Sequence, residues 1–354
     1  MELEKNKIDQ QINFYKKKIE LNKNDYTSIY YIAKILYKNL QLEESIFYFR
    51  KCLNINPNFE KAKIELKNAR KEKKDLITYL SYHGSFDNTS NLIIKCNQKL
   101  QKVNYNLNFE KKITNEFIFS ILNQIKRIIE KEILDIEFND SQIYREGVKK
   151  YDECKRHFEV FNSFRVIPKN CFDCYKIQIQ PTNVLDLIKV YFLFDKLNNT
   201  IDLTRKCMIE LRKNVSGSYK AFIYCVGMKE ANETLNILDP ILDKTIDENI
   251  PRTIKRGCTE FGLAFPEYKE IDSKKNNFME YNPDWEIKEN IIDERISKRE
   301  AETFIKENIK NGISLRDALI INNWLVYAKK IGDTTYKSIN YLPLNSKYIE
   351  SRLT

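Results

Sequence analysis

Four of the six cysteines between residues 154 and 258, together with one histidine, are the side chains best suited to chemistry. Cys171 and Cys174 form a Cys-x-x-Cys pair, and upstream Cys154 and His157 form a Cys-x-x-His pair. Two closely spaced ligand pairs separated by a loop are typical of a structural zinc site. Each pair supplies two of the four ligands of a single ion. Buried thiols without a ligand and a redox-active dithiol are the other two interpretations of these residues.

Basic and aromatic residues in two predicted strands form a second candidate site. Residues 219–226 alternate so that Lys220, Phe222 and Tyr224 share one face of a strand. The segment resembles part of the third-strand signature of the RNA-recognition motif, in which aromatic rings stack on bases and basic side chains contact phosphates. The alternative is that this face packs against other parts of the chain. The predicted nucleic-acid surface is Lys206, Arg212, Lys220, Phe222 and Tyr224.

The elements expected to position these residues have the order β-α-β-β-α-β. The predicted strands are residues 175–180, 205–212, 219–226 and 252–258, and the predicted helices are 183–196 and 229–243. This order resembles the ferredoxin-like sandwich, by topology only. The fourth strand of that fold lies antiparallel beside the first, which would bring Cys258 close to Cys171 and Cys174. The predicted metal site is Cys171, Cys174, Cys258 and either His157 or Cys154, with zinc as the metal considered.

Residues 26–59 form a 34-residue unit with a helix–turn–helix pattern. Its apolar positions combine small residues, one large aromatic ring and a terminal proline, namely Ala33, Ser45, Phe49, Cys52 and Pro57. This pattern resembles the tetratricopeptide repeat, and weaker matches extend the resemblance over about residues 6–75. In that family the first helix of each pair lines a concave groove. An acidic or carboxylate-bearing peptide would bind there, unless this short array packs on the rest of the chain. The groove positions are Thr27, Tyr30, Lys34, Tyr37 and Lys38.

The remaining segments are predicted to be mainly helical. The patterns predict a loop at 84–90 and helices at 114–134, 294–311 and 314–330, with Ser314 as the cap of the last helix. Together the elements predict an α+β fold with tetratricopeptide-like helical hairpins, a helical linker, a ferredoxin-like sandwich and a C-terminal helical hairpin. The predicted boundaries of these four parts are 1–75, 76–160, 161–270 and 271–354.

Composition narrows the class of protein. Eight glycines and eight prolines in 354 residues exclude collagen-like, linker-like and turn-dense all-β architectures. A hydrophobic content of 42% excludes global disorder. The net charge of +10 comes from abundant lysine, which an AT-rich coding bias would also produce, so a nucleic-acid partner is the less favoured option. The sequence contains no apolar run long enough to cross a membrane and no secretory signal, so we expect a cytoplasmic protein without membrane contact.

The leading hypothesis is a non-enzymatic interaction or adaptor protein that binds a protein or peptide partner. The sequence contains no phosphate-binding glycine loop, GxSxG elbow or HExxH motif. The first alternative is an RNA-binding protein that uses the basic and aromatic strand face. The second alternative is a thiol- or metal-dependent enzyme that uses Cys171, Cys174 and Cys258.

Overall fold

A computed structural model describes residues 2–83, 91–132, 138–145, 147, 154–197, 200–213, 215–297, 312–339, 343–344 and 346–353. Within these residues the chain contains both helices and one five-stranded antiparallel sheet, which agrees with the predicted α+β class. The predicted loop at 84–90 and most of the predicted helix at 294–311 lie outside the described residues.

The N-terminal part consists of consecutive helices that pack on their neighbours along the chain. They are α1 (Glu2–Leu21), α2 (Tyr26–Lys38), α3 (Leu42–Ile55) and α4 (Glu60–His83). Helix α2 begins at Asp25, whose carboxylate accepts a hydrogen bond from the backbone N–H of Ser28 at 3.0 Å. The helices share a cluster in which small residues such as Ala33 and Ala62 are fully buried around Phe49. Small side chains at these positions allow the helix axes to approach closely.

Further helices connect this array to the sheet. They are α5 (Leu92–Gln101), α6 (Asn115–Glu132), α7 (Cys154–Phe164) and α8 (Lys169–Phe172). Helix α6 corresponds to the helix predicted at 114–134, and Thr114 Oγ1 accepts a hydrogen bond from the N–H of Phe117 at its start. Its buried stripe of isoleucine and leucine side chains belongs to the main hydrophobic core.

The sheet contains all four predicted strands and one that was not predicted. The strands are β1 (Gln142–Arg145), β2 (Cys174–Ile179), β3 (Arg205–Ile209), β4 (Tyr219–Val226) and β5 (Arg252–Arg256), in the spatial order β1-β3-β4-β2-β5. Strands β3 and β5 end earlier than predicted. Strand β1 escaped prediction because it has four residues and only one buried apolar side chain, Ile143, which is too short a pattern to identify a strand.

Helices cover one face of this sheet. Helix α9 (Val184–Lys196) packs on β3 and β4, and α10 (Gly227–Thr245) packs on β2 and β4 and continues through Pro240. The chain ends with α11 (Phe261–Ala264), α12 (Glu286–Ser297), α13 (Leu315–Ile331) and α14 (Lys347–Leu353). Helix α13 begins at the predicted cap Ser314, whose Oγ accepts a hydrogen bond from the N–H of Asp317 at 3.1 Å. None of the helices in the described residues has the length and apolar character needed to cross a bilayer.

A buried polar network ties β1 to the helices that cover the sheet. Arg145 is only 4% exposed, and its Nε donates to Asp195 Oδ1 at 2.7 Å. Its Nη2 donates to Tyr191 Oη at 2.9 Å and to Asp317 Oδ2 at 3.0 Å. Tyr105 Oη donates to Asp195 Oδ2 at 2.7 Å, so both carboxylate oxygens are satisfied. A buried guanidinium paired with two carboxylates is stable only when this geometry is complete.

Breaking this network should destabilise the chain strongly. We expect Asp195→Asn to lower the free energy of unfolding by about 3–5 kcal/mol, because it leaves the Arg145 guanidinium buried with half of its negative partners. Urea denaturation followed by circular dichroism measures the change. The matched control is Glu60→Gln, whose carboxylate pairs with Lys63 at 2.6 Å on the exposed surface of α4 and should contribute less than about 1 kcal/mol. Equal losses from both substitutions would contradict a dominant role for the buried network.

Candidate functional site

The pairing of β2 with β5 brings three of the predicted cysteines to one end of the sheet. Tyr175 on β2 pairs with Arg256 on β5 in antiparallel register. Just beyond that pair, the N–H of Gly257 donates to the backbone oxygen of Cys174 at 2.8 Å. Cys258 therefore follows directly on the residue that faces Cys174, as the topology predicts.

Gly257 is required at this crossing of the two strands. A Cβ atom at this position would clash with the Sγ and Cβ atoms of Cys174. The absence of a side chain lets the Cys174 thiol lie against the backbone of β5 next to Cys258.

Cys171 approaches the same place from α8, three residues before Cys174. Its side chain is buried in a small aromatic cluster with Phe161, Phe261 and Tyr268, and Cys258 packs against that cluster. The Tyr268 hydroxyl donates to the backbone oxygen of Cys171 at 2.8 Å, which holds the short helix in position.

Cys154 completes the group from the first residue of α7. Burial raises the pKa of Cys174 to about 11, and the neighbouring Cys154 thiol raises it further. Burial also raises the pKa of Cys258 to about 12, with additional contributions from Cys174 and Cys154. The pKa of Cys171 is raised by burial and by the same three thiols. Cys154 also shares a face of α7 with Phe158 and Phe161, which pack in the cluster with Cys171 and Cys258.

His157 lies on the face of α7 that carries Val160 and Phe164, which pack against Ile292 of α12. The pKa of Asp293 on α12 is lowered mainly by its hydrogen bonds from Arg156, and His157 lowers it further. Helices α7 and α12 pack against each other, and Arg156 Nη2 donates to Asp293 Oδ2 at 2.7 Å. Of the two alternatives left open by the sequence, Cys154 is thus the one that the structure groups with the other thiols.

Two buried cations flank the thiols. Lys176 Nζ donates to the backbone oxygen of Gly257 at 2.9 Å and to Thr259 Oγ1 at 3.0 Å, and burial lowers its pKa. Arg256 is 4% exposed and lies among aromatic rings, with its Nη1 donating to Tyr175 Oη at 2.9 Å. Both cations lower the pKa of Cys174. Within the described residues, no three His, Cys, Asp or Glu side chains already stand in a metal-coordinating arrangement.

The predicted nucleic-acid surface lies on the sheet face opposite α9 and α10. Lys206 on β3 pairs in register with Phe222 on β4, and Tyr224 pairs with Lys176 on β2. The unpredicted strand β1 adds the ring of Tyr144 beside Lys206. The ring of Phe222 is only 6% exposed, which leaves little of it open for stacking on a base.

Glu210, which the sequence patterns did not single out, holds two of the predicted basic residues. Arg212 donates to both of its carboxylate oxygens at 2.8 Å, and Lys220 Nζ lies 3.0 Å from Oε2. Although burial opposes ionisation, these hydrogen bonds lower the pKa of Glu210 to about 2. Arg212 and Lys220 therefore share one carboxylate within the chain.

The groove positions predicted on α2 separate into two groups. Tyr30 packs inward against Phe49 and Phe59, and the Tyr37 hydroxyl donates to Glu72 on α4 at 2.6 Å, which raises the pKa of Tyr37 to about 12. Thr27 and Lys38 are exposed, and Lys34 is partly exposed, with its Nζ 6.0 Å from the Tyr30 ring.

Tyr31 is the surface residue on α2 that the sequence did not single out. It is 45% exposed and stacks on Tyr15 of α1 with ring centroids 5.3 Å apart. Lys18 lies over Tyr15 and over the neighbouring ring of Phe14. Only the packing of α1 on α2 reveals this patch, because its members come from two helices.

Comparisons with protein-family models, with curated proteins and with solved structures found no match to this chain.

The sheet face generates a pH-dependent prediction at Lys206. Its Nζ lies 5.2 Å from the centre of the Tyr144 ring, and burial together with Lys176 lowers its pKa to about 8. Because the folded chain releases this proton before the unfolded chain does, stability should rise as the pH increases from about 8 toward the ordinary lysine value of 10.5. Lys206→Met should raise the free energy of unfolding at pH 7 by about 1–3 kcal/mol and abolish that rise.

Urea unfolding between pH 7 and pH 10 measures both effects. Lys255→Met is the matched control, because it removes an exposed ammonium group from the edge strand of the same face. It should change stability by less than about 0.5 kcal/mol. The prediction fails if Lys206→Met is less stable than the natural chain, or if its stability still rises with pH. Either result would show that the ammonium group of Lys206 is well solvated.

Proposed function

We propose that this chain is a non-enzymatic interaction protein whose N-terminal helices bind an acidic segment of a partner protein. The observation that carries the proposal is the exposed aromatic patch of Phe14, Tyr15 and Tyr31, flanked by Lys18 and Lys34. Aromatic rings beside lysines suit a peptide that combines carboxylates with apolar or aromatic side chains.

The architecture of α1 to α4 supports this role. Helices α2 and α3 form a hairpin, α4 packs on α3, and fully buried small residues surround Phe49. That arrangement is consistent with a tetratricopeptide-like array, a class that serves as a scaffold for binding surfaces. The strand order β5-β2-β4-β3 with α9 and α10 on one face is likewise consistent with a ferredoxin-like sandwich, to which β1 is added.

Charge supports an acidic partner. Residues 1–83 contain 17 lysines and arginines against 11 aspartates and glutamates, so this segment carries +6 of the net +10. A surplus of this sign near the aromatic patch accelerates encounter with an acidic segment and disfavours basic ones. None of the eight cysteines forms a disulfide, which supports the proposal of a reducing compartment such as the cytoplasm.

The two alternative functions receive less support from the geometry. An RNA surface needs open rings and free cations, whereas Phe222 is covered and Arg212 and Lys220 are paired with Glu210. A thiol nucleophile needs a lowered pKa, whereas burial raises the pKa of Cys174 and Cys258.

Removal of the stacked ring should weaken partner binding. We expect Tyr31→Ala to reduce affinity for acidic peptides roughly tenfold, because the ring supplies rigid apolar area at the centre of the patch. Lys34→Glu should have a similar effect and should also reduce the dependence of binding on salt. Fluorescence anisotropy of the full chain with a library of acidic decapeptides that contain one aromatic residue measures both effects.

Matched controls lie on α3. Phe47→Ala removes a ring that is equally exposed but lies outside the patch, and Lys51→Glu makes the same charge change outside it. Both should bind as the natural chain does. A second peptide library with Asn and Gln in place of Asp and Glu should bind weakly. The proposal fails if both libraries bind equally well or if the Tyr31 and Phe47 variants behave alike.

A further inference from the structure

Four cysteines lie close together at one end of the sheet, outside the proposed partner surface on α1 and α2. Cys154 begins α7, Cys171 and Cys174 lie on either side of the junction between α8 and β2, and Cys258 follows β5. Covalent connection does not explain this meeting, because 84 residues separate Cys174 from Cys258 along the chain. The β2–β5 pairing, the aromatic packing of Cys171 and the close approach at Gly257 bring the segments together.

Four cysteines from separate segments provide the ligand set of a closed metal site. Zn²⁺ binds thiolates in a tetrahedral arrangement at about 2.3 Å, and sites with four protein ligands are structural. We infer that Cys154, Cys171, Cys174 and Cys258 bind one Zn²⁺ ion that fastens α7 and α8 to the β2–β5 edge of the sheet. Since the thiols do not yet stand in coordinating positions, binding requires rotation of their side chains about χ1.

The fourth ligand is Cys154 rather than His157. Cys154 lies on the face of α7 that carries Phe158 and Phe161, which pack in the aromatic cluster with Cys171 and Cys258. His157 lies on the face that carries Val160 and Phe164, which pack against Ile292 of α12.

An independent observation comes from Arg256. Its guanidinium is almost fully buried, and within the described residues neither Nε nor Nη2 has a hydrogen-bond acceptor. Nη1 donates to Tyr175 Oη, but two N–H groups of a buried guanidinium without an acceptor are costly, and a nearby negative group would stabilise them. Zn²⁺ with four thiolates carries a net charge of −2, and Arg256 together with Lys176 supplies the two balancing positive charges. Buried cations next to a negatively charged zinc–thiolate centre stabilise its charge.

Metal binding at this group is coupled to proton release. Zn²⁺ binds cysteine as the thiolate, so each thiol that is protonated in the metal-free chain loses its proton when it becomes a ligand. Affinity should therefore rise with pH.

Cobalt substitution of the full chain tests the site directly. We expect the reduced, metal-free protein to bind one Co²⁺ per chain, with thiolate-to-cobalt charge-transfer bands and intense tetrahedral d–d bands that one equivalent of Zn²⁺ removes. Elemental analysis of protein purified anaerobically without chelator should give about one zinc per chain. Charge-transfer intensity reports the number of thiolate ligands, independently of any partner-binding assay.

Single substitutions identify the ligands. Cys174→Ser and Cys154→Ser should each lose charge-transfer intensity and weaken metal binding by at least about tenfold, while His157→Gln keeps the spectrum. Cys52→Ser is the matched control, because it changes a buried cysteine in the N-terminal helices. Arg256→Gln should keep the spectrum but lower the affinity roughly tenfold, as expected for a residue that acts through charge.

Several outcomes would overturn the inference. They are a folded, reduced chain that binds no stoichiometric Co²⁺ or Zn²⁺, a Cys171–Cys174 disulfide in anaerobically purified protein, and an iron–sulfur chromophore. Loss of the cobalt spectrum in His157→Gln but not in Cys154→Ser would overturn the assigned ligand set. If a cysteine variant does not fold, a stoichiometric zinc release from the natural chain on treatment with a mercurial reagent, with four thiols newly titrated, still decides the question.

Discussion

The guanidinium of Arg145 is buried, charged and bonded to groups from widely separated parts of the chain. Asp195 comes from α9, Asp317 from α13 and Tyr191 from the face of α9 that covers the sheet. Such a centre has no stable partial form, because each missing partner leaves a charge without compensation in a medium of low polarity. Because the guanidinium lies on β1 and its partners lie on α9 and α13, the network links the position of this edge strand to the packing of both helices.

The same sheet separates two environments with different chemical character. On the face that α9 and α10 cover, side chains such as Ile177 and Ile223 form a dry core. The opposite face carries lysines and aromatic rings, and Glu210 pairs with two of its cations. At the β2–β5 edge, the cysteine group lies beside two further buried cations.

Helix α4 connects the N-terminal helices to the sheet, and each of these two parts has its own apolar cluster. The array has its own apolar cluster around Phe49, while Ile77 and Leu80 near the end of α4 belong to the main core. The buried ion pair of Lys73 and Glu43 lies between these regions and fixes α4 to α3. The N-terminal helices and the sheet therefore have separate apolar clusters, and α4 contributes side chains to both.

The sequence by itself determined the secondary structure wherever a pattern was long and local. Apolar periodicity identified α2, α3, α6, α9 and α13, alternation identified four strands, and Ser314 marked a helix start through its capping chemistry. Strand β1 was missed because four residues with one apolar side chain carry no period. Metal ligation, RNA binding and partner recognition stay predictions, since the side chains involved were chosen by type and spacing alone.

Tertiary structure decided the features that depend on contacts between distant segments. It turned Tyr30 and Tyr37 inward and left Tyr31 stacked on Tyr15, because the neighbours of α2 determine which of its faces is covered. It also grouped Cys154 with the other thiols and placed His157 beside Asp293. Helical spacing puts both residues on the same turn of α7, and only the packing of α12 shows which way each one points. A local sequence pattern reflects the free energy of forming a single helix or strand. The orientation of the side chains on α2 and α7 depends instead on burial against other elements, which meet only when the chain folds.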